Sequence, residues 1–283
     1  MAIAITGATG HLGRLVINGL KARISAEDIV ALARSTAKGS DLGVAVRRAD
    51  YRDPETLARA LSGVDTLLLI SSSEVGQRAV QHHNVIEAAK NQNVKWIVYT
   101  SLLRAETSPL SLAGEHRETE AGLKASGIPF TILRNGWYTE NYTASVAAAV
   151  AGGAFLGCAG AGRISSAARV DYAEAAVEVL TTPGHIGKTY ELAGDEAYTL
   201  GDLAAEISRQ TGKNIPYKDL SESDYAAALV KLGLPEAAAK AYAGSDTGAS
   251  QGALWDDGRQ LSKLIGRPTT PLRVSVAEAL KGA

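Results

Sequence analysis

Three glycines spaced two residues apart, Gly7, Gly10 and Gly13, carry the clearest chemistry in the chain. They close the run Ile3-Ala4-Ile5-Thr6-Gly7-Ala8-Thr9-Gly10-His11-Leu12-Gly13, whose alternating apolar start reads as a strand. Leu12, Leu15, Val16 and Leu20 then recur at helical spacing. A strand, a glycine-rich turn and a helix in that order cradle a pyrophosphate. One glycine permits the tight turn, another lets the backbone approach the phosphates, and a third lets the helix pack close to the strand. The helix start then offers its free N–H groups and the positive end of its dipole to the anion. Thr9, His11 and Leu12, set between the glycines, belong to the same cradle. The competing reading, a plain glycine turn, explains less, because the triplet sits where a strand must end and a helix begin.

The residues after the second strand select the nucleotide. An NAD-preferring fold places an acid about twenty residues past the last motif glycine, on the ribose 2′-hydroxyl. Here the strand ends Ala33-Arg34-Ser35-Thr36, and residues 29–40 hold no Asp or Glu. A guanidinium cannot accept from a hydroxyl, but its planar fork pairs with a 2′-phosphate. NADPH is therefore the expected cofactor, with Arg34 on its 2′-phosphate, Ser35 and Lys38 as helpers, and a solvated strand-end arginine as the bland alternative. Asp50, with Tyr51, falls where the adenine lies and is either an acceptor for its amino group or a turn acid. Ser71-Ser72-Ser73-Glu74-Val75-Gly76 follows the fourth strand, on the carboxyl edge where open α/β sheets bind ligands. Its hydroxyls and backbone suit the ribose and nicotinamide; a helix N-cap accounts for one serine, not for the stretch.

The elements that hold these residues alternate. Ile29–Ala33, Gly43–Arg47, Thr66–Ile70, Trp96–Tyr99, Phe130–Arg134 and Lys188–Leu192 read as strands. Helices are predicted from Asp53-Pro54-Glu55 to Leu61, over Val75–Asn91 with Val75, Ala79, Ile86 and Ala89 on one stripe, over Ser111–Ser126 and over Asp171–Leu180. This rhythm predicts an α/β fold with a doubly wound parallel sheet of Rossmann type. It loosens after Arg134. Ala144–Ala151 reads as a helix ended by Gly152-Gly153, residues 155–165 show little pattern, and helices over 199–210, 221–232, 235–243 and the final stretch follow. The expected organisation is an NADP-binding domain of residues 1–134 plus about 166–193. A smaller, partly helical lobe, about 135–165 and 194–283, should cover the substrate.

The 283 residues carry 29 Lys+Arg against 30 Asp+Glu, with no basic block that would track a nucleic acid. A chain of this length buries about three quarters of its unfolded surface without a staple. The single cysteine, Cys158, excludes an internal disulfide and a Cys-rich zinc site, so no metal is expected, and it fits a reducing cytoplasm. The apolar opening is too short for a signal peptide, and no run is long enough to span a bilayer. Neither a nucleic-acid nor a membrane partner is implied, and nothing in the sequence selects an oligomeric state.

The glycine motif with Arg34 resembles the atypical short-chain dehydrogenase/reductases of the NmrA-like group. The resemblance continues through Ser126–Arg134, Asn135-Gly136-Trp137-Tyr138 and Tyr190–Gly194. With Leu69–Arg78 and Tyr99–Leu103 included, the chain is most similar to the bacterial NAD(P)H:quinone oxidoreductases of that group. Ordinary members of the superfamily use a Tyr-x-x-x-Lys pair for proton transfer. No tyrosine here has a lysine four residues on. In the helix where the isoflavone-reductase type carries its lysine, this chain reads Glu115-His116-Arg117-Glu118-Thr119-Glu120. Alcohol–ketone chemistry and epimerisation are thereby disfavoured. A quinone needs little proton assistance, so the resemblance implies direct hydride transfer from NADPH to a small planar acceptor, without flavin. Tyr138 and Asn135, after the sixth strand, are the candidates to bond a quinone oxygen; Trp137 and Tyr142 either stack on the acceptor or pack between lobes. His116 is a candidate proton donor, against the alternative of a solvent-facing helix histidine; His82 and His83 read as structural. Two other functions stay open: an NADP-binding redox sensor without turnover, and a reductase of triphenylmethane-type dyes.

Overall fold

In this computed structural model, which describes residues 1–282, the chain opens with β1 (Ile3–Ile5), α1 (His11–Lys21), β2 (Ile29–Ala33), β3 (Ala45–Arg48), α2 (Pro54–Ala60), β4 (Thr66–Leu69) and α3 (Arg78–Asn91). There follow β5 (Trp96–Leu102), α4 (Ala113–Ser126), β6 (Phe130–Asn135), α5 (Glu140–Thr143), α6 (Val146–Gly152) and β7 (Phe155–Gly157). The remainder comprises α7 (Arg169–Thr181), β8 (Thr189–Leu192), α8 (Leu200–Thr211), β9 (Tyr217–Asp219), α9 (Glu222–Lys231), α10 (Glu236–Ser250), α11 (Gln260–Ile265) and α12 (Leu272–Lys281).

Seven strands form one sheet in the order β3-β2-β1-β4-β5-β6-β8, every pair parallel. This is the doubly wound arrangement the alternation predicts, and the order reverses between β1 and β4, the switch point where such sheets bind ligands. The chain divides into two compact units. The first contains residues 1–106, 112–135 and 169–192; the second contains 107–111, 136–168 and 193 onward.

The first unit owes its sheet to near-continuous apolar strands, as parallel strands covered on both faces require. Leu67, Leu69, Ile97 and Tyr99 join Leu57, Val85, Ile86 and Leu123 of the helices in one buried cluster. Helices α1 and α7 pack backbone to side chain, since a Cβ at Gly19 would lie 2.8 Å from Val177 Cγ2. Helix α2 begins as predicted: Asp53 accepts from the N–H groups of Glu55 (3.1 Å) and Thr56 (3.2 Å), with Pro54 in the first turn.

The second unit departs further from the sequence pattern. Phe155–Gly157, within the stretch that shows little pattern, pairs with Tyr217–Asp219 as a small parallel sheet. Helix α10 runs past the expected stop at Ala243 to Ser250, and its Gly248 makes a close approach: a Cβ there would lie 2.5 Å from Leu110 Cδ2. Tyr225, Leu229, Ala239 and Ala243 form a local core between α9 and α10. No helix among the described residues is long and apolar enough to cross a membrane.

Candidate functional site

The glycine turn has the geometry its sequence requires. Gly7 sits at φ +58°, in the left-handed region. A Cβ at Gly13 would lie 2.4 Å from Gly7 O and 2.8 Å from Ala8 Cα, so only a glycine lets α1 start this close to the turn. Gly10 is the N-cap of α1, has no capping side chain, and no acid occupies the first turn. The first-turn amides at His11, Leu12 and Gly13 therefore face outward with the positive helix end, a cradle for a dianion. Arg14 fixes this turn to the loop after β2 through Thr9 O (3.3 Å), Lys38 O (2.7 Å) and Asp41 (2.7 Å).

At the end of β2, the Arg34 side chain is 66% exposed, and its Nη1 donates to Glu74 Oε1 at 2.9 Å. Asp50 lies in a turn: its Oδ1 accepts from Arg52 N at 3.0 Å, and although burial opposes it, bonding to Arg52 holds the carboxyl below the usual range. Tyr51 donates its hydroxyl to Ile70 O at 2.8 Å.

The Ser71–Gly76 stretch is held from beneath by buried polar groups. Thr6 Oγ1 receives Ile70 N (2.9 Å), and Thr100 Oγ1 receives Ser71 N (2.9 Å). Ser72 N donates to His82 Nε2 at 2.9 Å. Because Nε2 accepts, Nδ1 carries the proton and donates to Thr119 Oγ1 (2.9 Å), which donates to Glu115 O (2.9 Å). Glu115 Oε1 takes the N–H groups of Gly76 and Arg78, each at 3.0 Å, and Arg78 Nε donates to Ser72 O at 2.8 Å. With Glu115 capturing these amides and Gly76 at φ +84°, the helix starts at Arg78 instead of Val75. Val75 is 57% exposed, so it leaves the predicted stripe. The buried face of α3 includes Arg78, Gln81 and His82, which no apolar periodicity reveals.

His116 is buried, which corrects the expectation of a solvent-facing histidine. Its Nδ1 shares a hydrogen bond with Tyr99 OH at 2.7 Å, and burial followed by the Arg78 charge pushes its pKa down to about 3. His82 is lowered to about 3 by burial first, then by Arg78 and His116. Both imidazoles are neutral near pH 7, so neither supplies a proton as an imidazolium.

At the end of β6 lies a largely buried ion cluster that the sequence reading missed. Arg134 holds Glu120 with two bonds (Nε 3.0 Å, Nη2 2.7 Å), Glu191 at 2.9 Å and Glu106 at 3.0 Å, and Ser101 Oγ donates to Glu120 at 2.6 Å. Hydrogen bonding to Glu120 is the largest cause raising the Arg134 pKa. The only sign of it in the sequence is an arginine closing an apolar strand. Next in β6, Asn135 is buried, and its Oδ1 has no hydrogen-bond partner among the described residues.

Tyr138 belongs to the second unit. It is half-buried and bridges Ala167, while Thr139 N donates to Ala167 O at 2.9 Å and Ala167 N to Trp137 O at 3.1 Å. Thr139, Ser166 and Tyr198 form a buried hydroxyl chain with contacts of 2.8 and 2.6 Å. Tyr142 is buried and donates to Asp246 at 2.9 Å; its ring centroid lies 6.4 Å from that of Trp137. The half-buried rings in this stretch are Trp137 and Tyr138; Tyr142 serves the interior of the unit. Among the described residues no group of three or more His, Cys, Asp or Glu could hold a metal ion.

Residues 7–183 match a family model described as NAD(P)H-binding. The chain is 59% identical over 278 residues to quinone oxidoreductase 2 of Escherichia coli (strain K12), with 97% of each chain covered. The crystal structure of the NADPH-dependent quinone oxidoreductase QOR2 from Escherichia coli, complexed with NADPH, superposes with a TM-score of 0.96 at 58% identity, covering 98% of this chain and 99% of that one. Triphenylmethane reductase from Citrobacter sp., complexed with NADP(H), gives 0.95 at 38% identity over 98% of this chain and all of that one (100%).

Proposed function

Because the chain belongs to the NAD(P)H-binding family, we propose that it is an oxidoreductase that reduces quinones at the expense of NADPH. The observation that carries this reading is its near-identity of length, fold and most residues with a quinone oxidoreductase that binds NADPH. The residues fit the cofactor on the chain's own geometry. A side chain at Gly13 has no room, the α1 start is uncapped, and Arg34 stands exposed at the end of β2. Gly7, Thr9, Gly10, His11, Leu12 and Gly13 hold the pyrophosphate, Arg34 the 2′-phosphate, and the Ser71–Gly76 loop the ribose and nicotinamide, with its Glu74 turned toward Arg34.

When bound, the reduced nicotinamide supplies a hydride, and we assign its direct transfer to the quinone with neither flavin nor metal. The protein's own part is orientation. Asn135, closing β6, is assigned an amide N–H donated to a quinone oxygen. Tyr138 offers a hydroxyl and a flat ring. Neutral His116 and the fully committed Glu120–Arg134 pair leave protonation of the product to water. A cytoplasmic setting fits the single cysteine.

The test follows absorbance at the nicotinamide band. Purified protein with NADPH and a simple benzo- or naphthoquinone should oxidise the cofactor only when acceptor is present, from a colourless preparation. The likeness to a triphenylmethane reductase makes a cationic dye the second acceptor to try. Turnover of the dye alone selects that substrate class. Tight binding of NADPH with no turnover of either selects a sensor, and a yellow, flavin-bearing preparation refutes direct transfer.

A further inference from the structure

Arg34 reaches the surface already matched by an anion of its own chain. Its Nη1 bonds Glu74 Oε1 at 2.9 Å, and the other Glu74 oxygen accepts from Gln81 Nε2 at 2.8 Å. Gln81 is 3% exposed on α3, and Glu74 N donates to Ser72 Oγ at 3.1 Å, so carboxylate and backbone are both tethered. The neighbouring cation, Arg52, is occupied by Asp50. Residues 34–40 after β2 hold no acid, yet the loop after β4 brings one to the end of β2 in space.

Resting on the assignment of Arg34 to the 2′-phosphate, we propose that Glu74 sets cofactor specificity. It competes with the 2′-phosphate for the Arg34 guanidinium and serves as the hydroxyl acceptor when the cofactor is NADH. Arg34 carries a single positive charge already facing the Glu74 carboxylate, so a second anion brought to it meets the repulsion of the first. A 2′-phosphate on Arg34 therefore either displaces Glu74 or sits beside it, and either course weakens NADPH binding. NADH brings a hydroxyl instead, which meets no repulsion and can donate to the carboxylate as in NAD-preferring folds. The pair is solvent-exposed, so the effect is modest: about two- to fivefold in affinity.

Calorimetric titration of the intact protein with 2′,5′-ADP, 5′-AMP, NADPH and NADH tests this in the wild type, Glu74→Gln and Arg34→Ala. Glutamine keeps the shape of the side chain, and matching melting curves establish that the fold is retained. Glu74→Gln should bind 2′,5′-ADP and NADPH two- to fivefold more tightly and NADH no better, with the gain shrinking as salt rises. If Glu74→Gln binds 2′,5′-ADP equally or more weakly while Arg34→Ala loses tenfold or more, the competition is refuted and the Arg34 assignment survives. If Arg34→Ala loses nothing on 2′,5′-ADP, the assignment itself falls, and the role of Glu74 with it.

Discussion

Replacing Gly13 with alanine asks whether the glycine turn is a packing requirement or a helix position that merely tolerates glycine. In an ordinary helix interior, Gly→Ala stabilises by about 0.5–1 kcal/mol. At Gly13 the added methyl would lie 2.4 Å from Gly7 O, 2.8 Å from Ala8 Cα and 3.0 Å from Ala8 C. All three contacts are backbone atoms, so no side chain can rotate away, and overpacking costs about 1–3 kcal/mol. With the steric term near its upper end, the net expectation is destabilisation by about 1–2 kcal/mol. For a chain of this size that corresponds to a melting temperature lower by roughly 2–8 °C. The turn must also shift out of its anion-cradling geometry, so NADPH affinity should fall about tenfold, the equivalent of 1.4 kcal/mol. Gly122, inside α4, is the internal control. A Cβ there lies 3.5 Å from Ile86 Cδ1, an ordinary contact, so Gly122→Ala should stabilise by about 0.5–1 kcal/mol and leave NADPH binding alone. The assays are thermal unfolding and calorimetric titration. A Gly13→Ala protein that melts higher and binds NADPH normally would refute the packing argument.

Arg134→Ala should destabilise by about 3–5 kcal/mol in chemical denaturation, because it strands the buried Glu120 carboxylate, whereas Glu106→Gln, at a 68% exposed partner, should cost no more than about 1 kcal/mol. Comparable losses would show that the cluster is not a buried unit. Between about pH 6 and pH 4.5 stability should fall on acidification. His82 and His116, lowered to about 3, bind protons only when the chain unfolds, while Asp246, raised to about 6 by burial, binds one in the folded state. The balance of two protons against one gives a slope of about 1.4 kcal/mol per pH unit, which Asp246→Asn should about double; urea midpoints measured across that range decide it.

The glycine turn was legible in the sequence because its geometry is local. Gly7, Gly10 and Gly13 are needed at fixed spacing by a single turn, and Arg34 follows the strand that turn pairs with, so the order of residues carries the geometry. The sheet was legible for the same reason: parallel strands covered on both faces must be apolar throughout, and the crossovers between them have one hand. What the tertiary fold alone decided involves pairs far apart in sequence. The Ser71–Gly76 loop takes its shape from His82 on α3 and Glu115 on α4, and those acceptors delay the helix start from Val75 to Arg78. Glu120, Arg134 and Glu191 become one cluster only when α4, β6 and β8 are assembled, and Phe155–Gly157 becomes a strand only beside Tyr217–Asp219. A buried charge is tolerable only with its partner, and a three-residue strand is stable only with its neighbour. Neither condition is written in the run of residues that carries it.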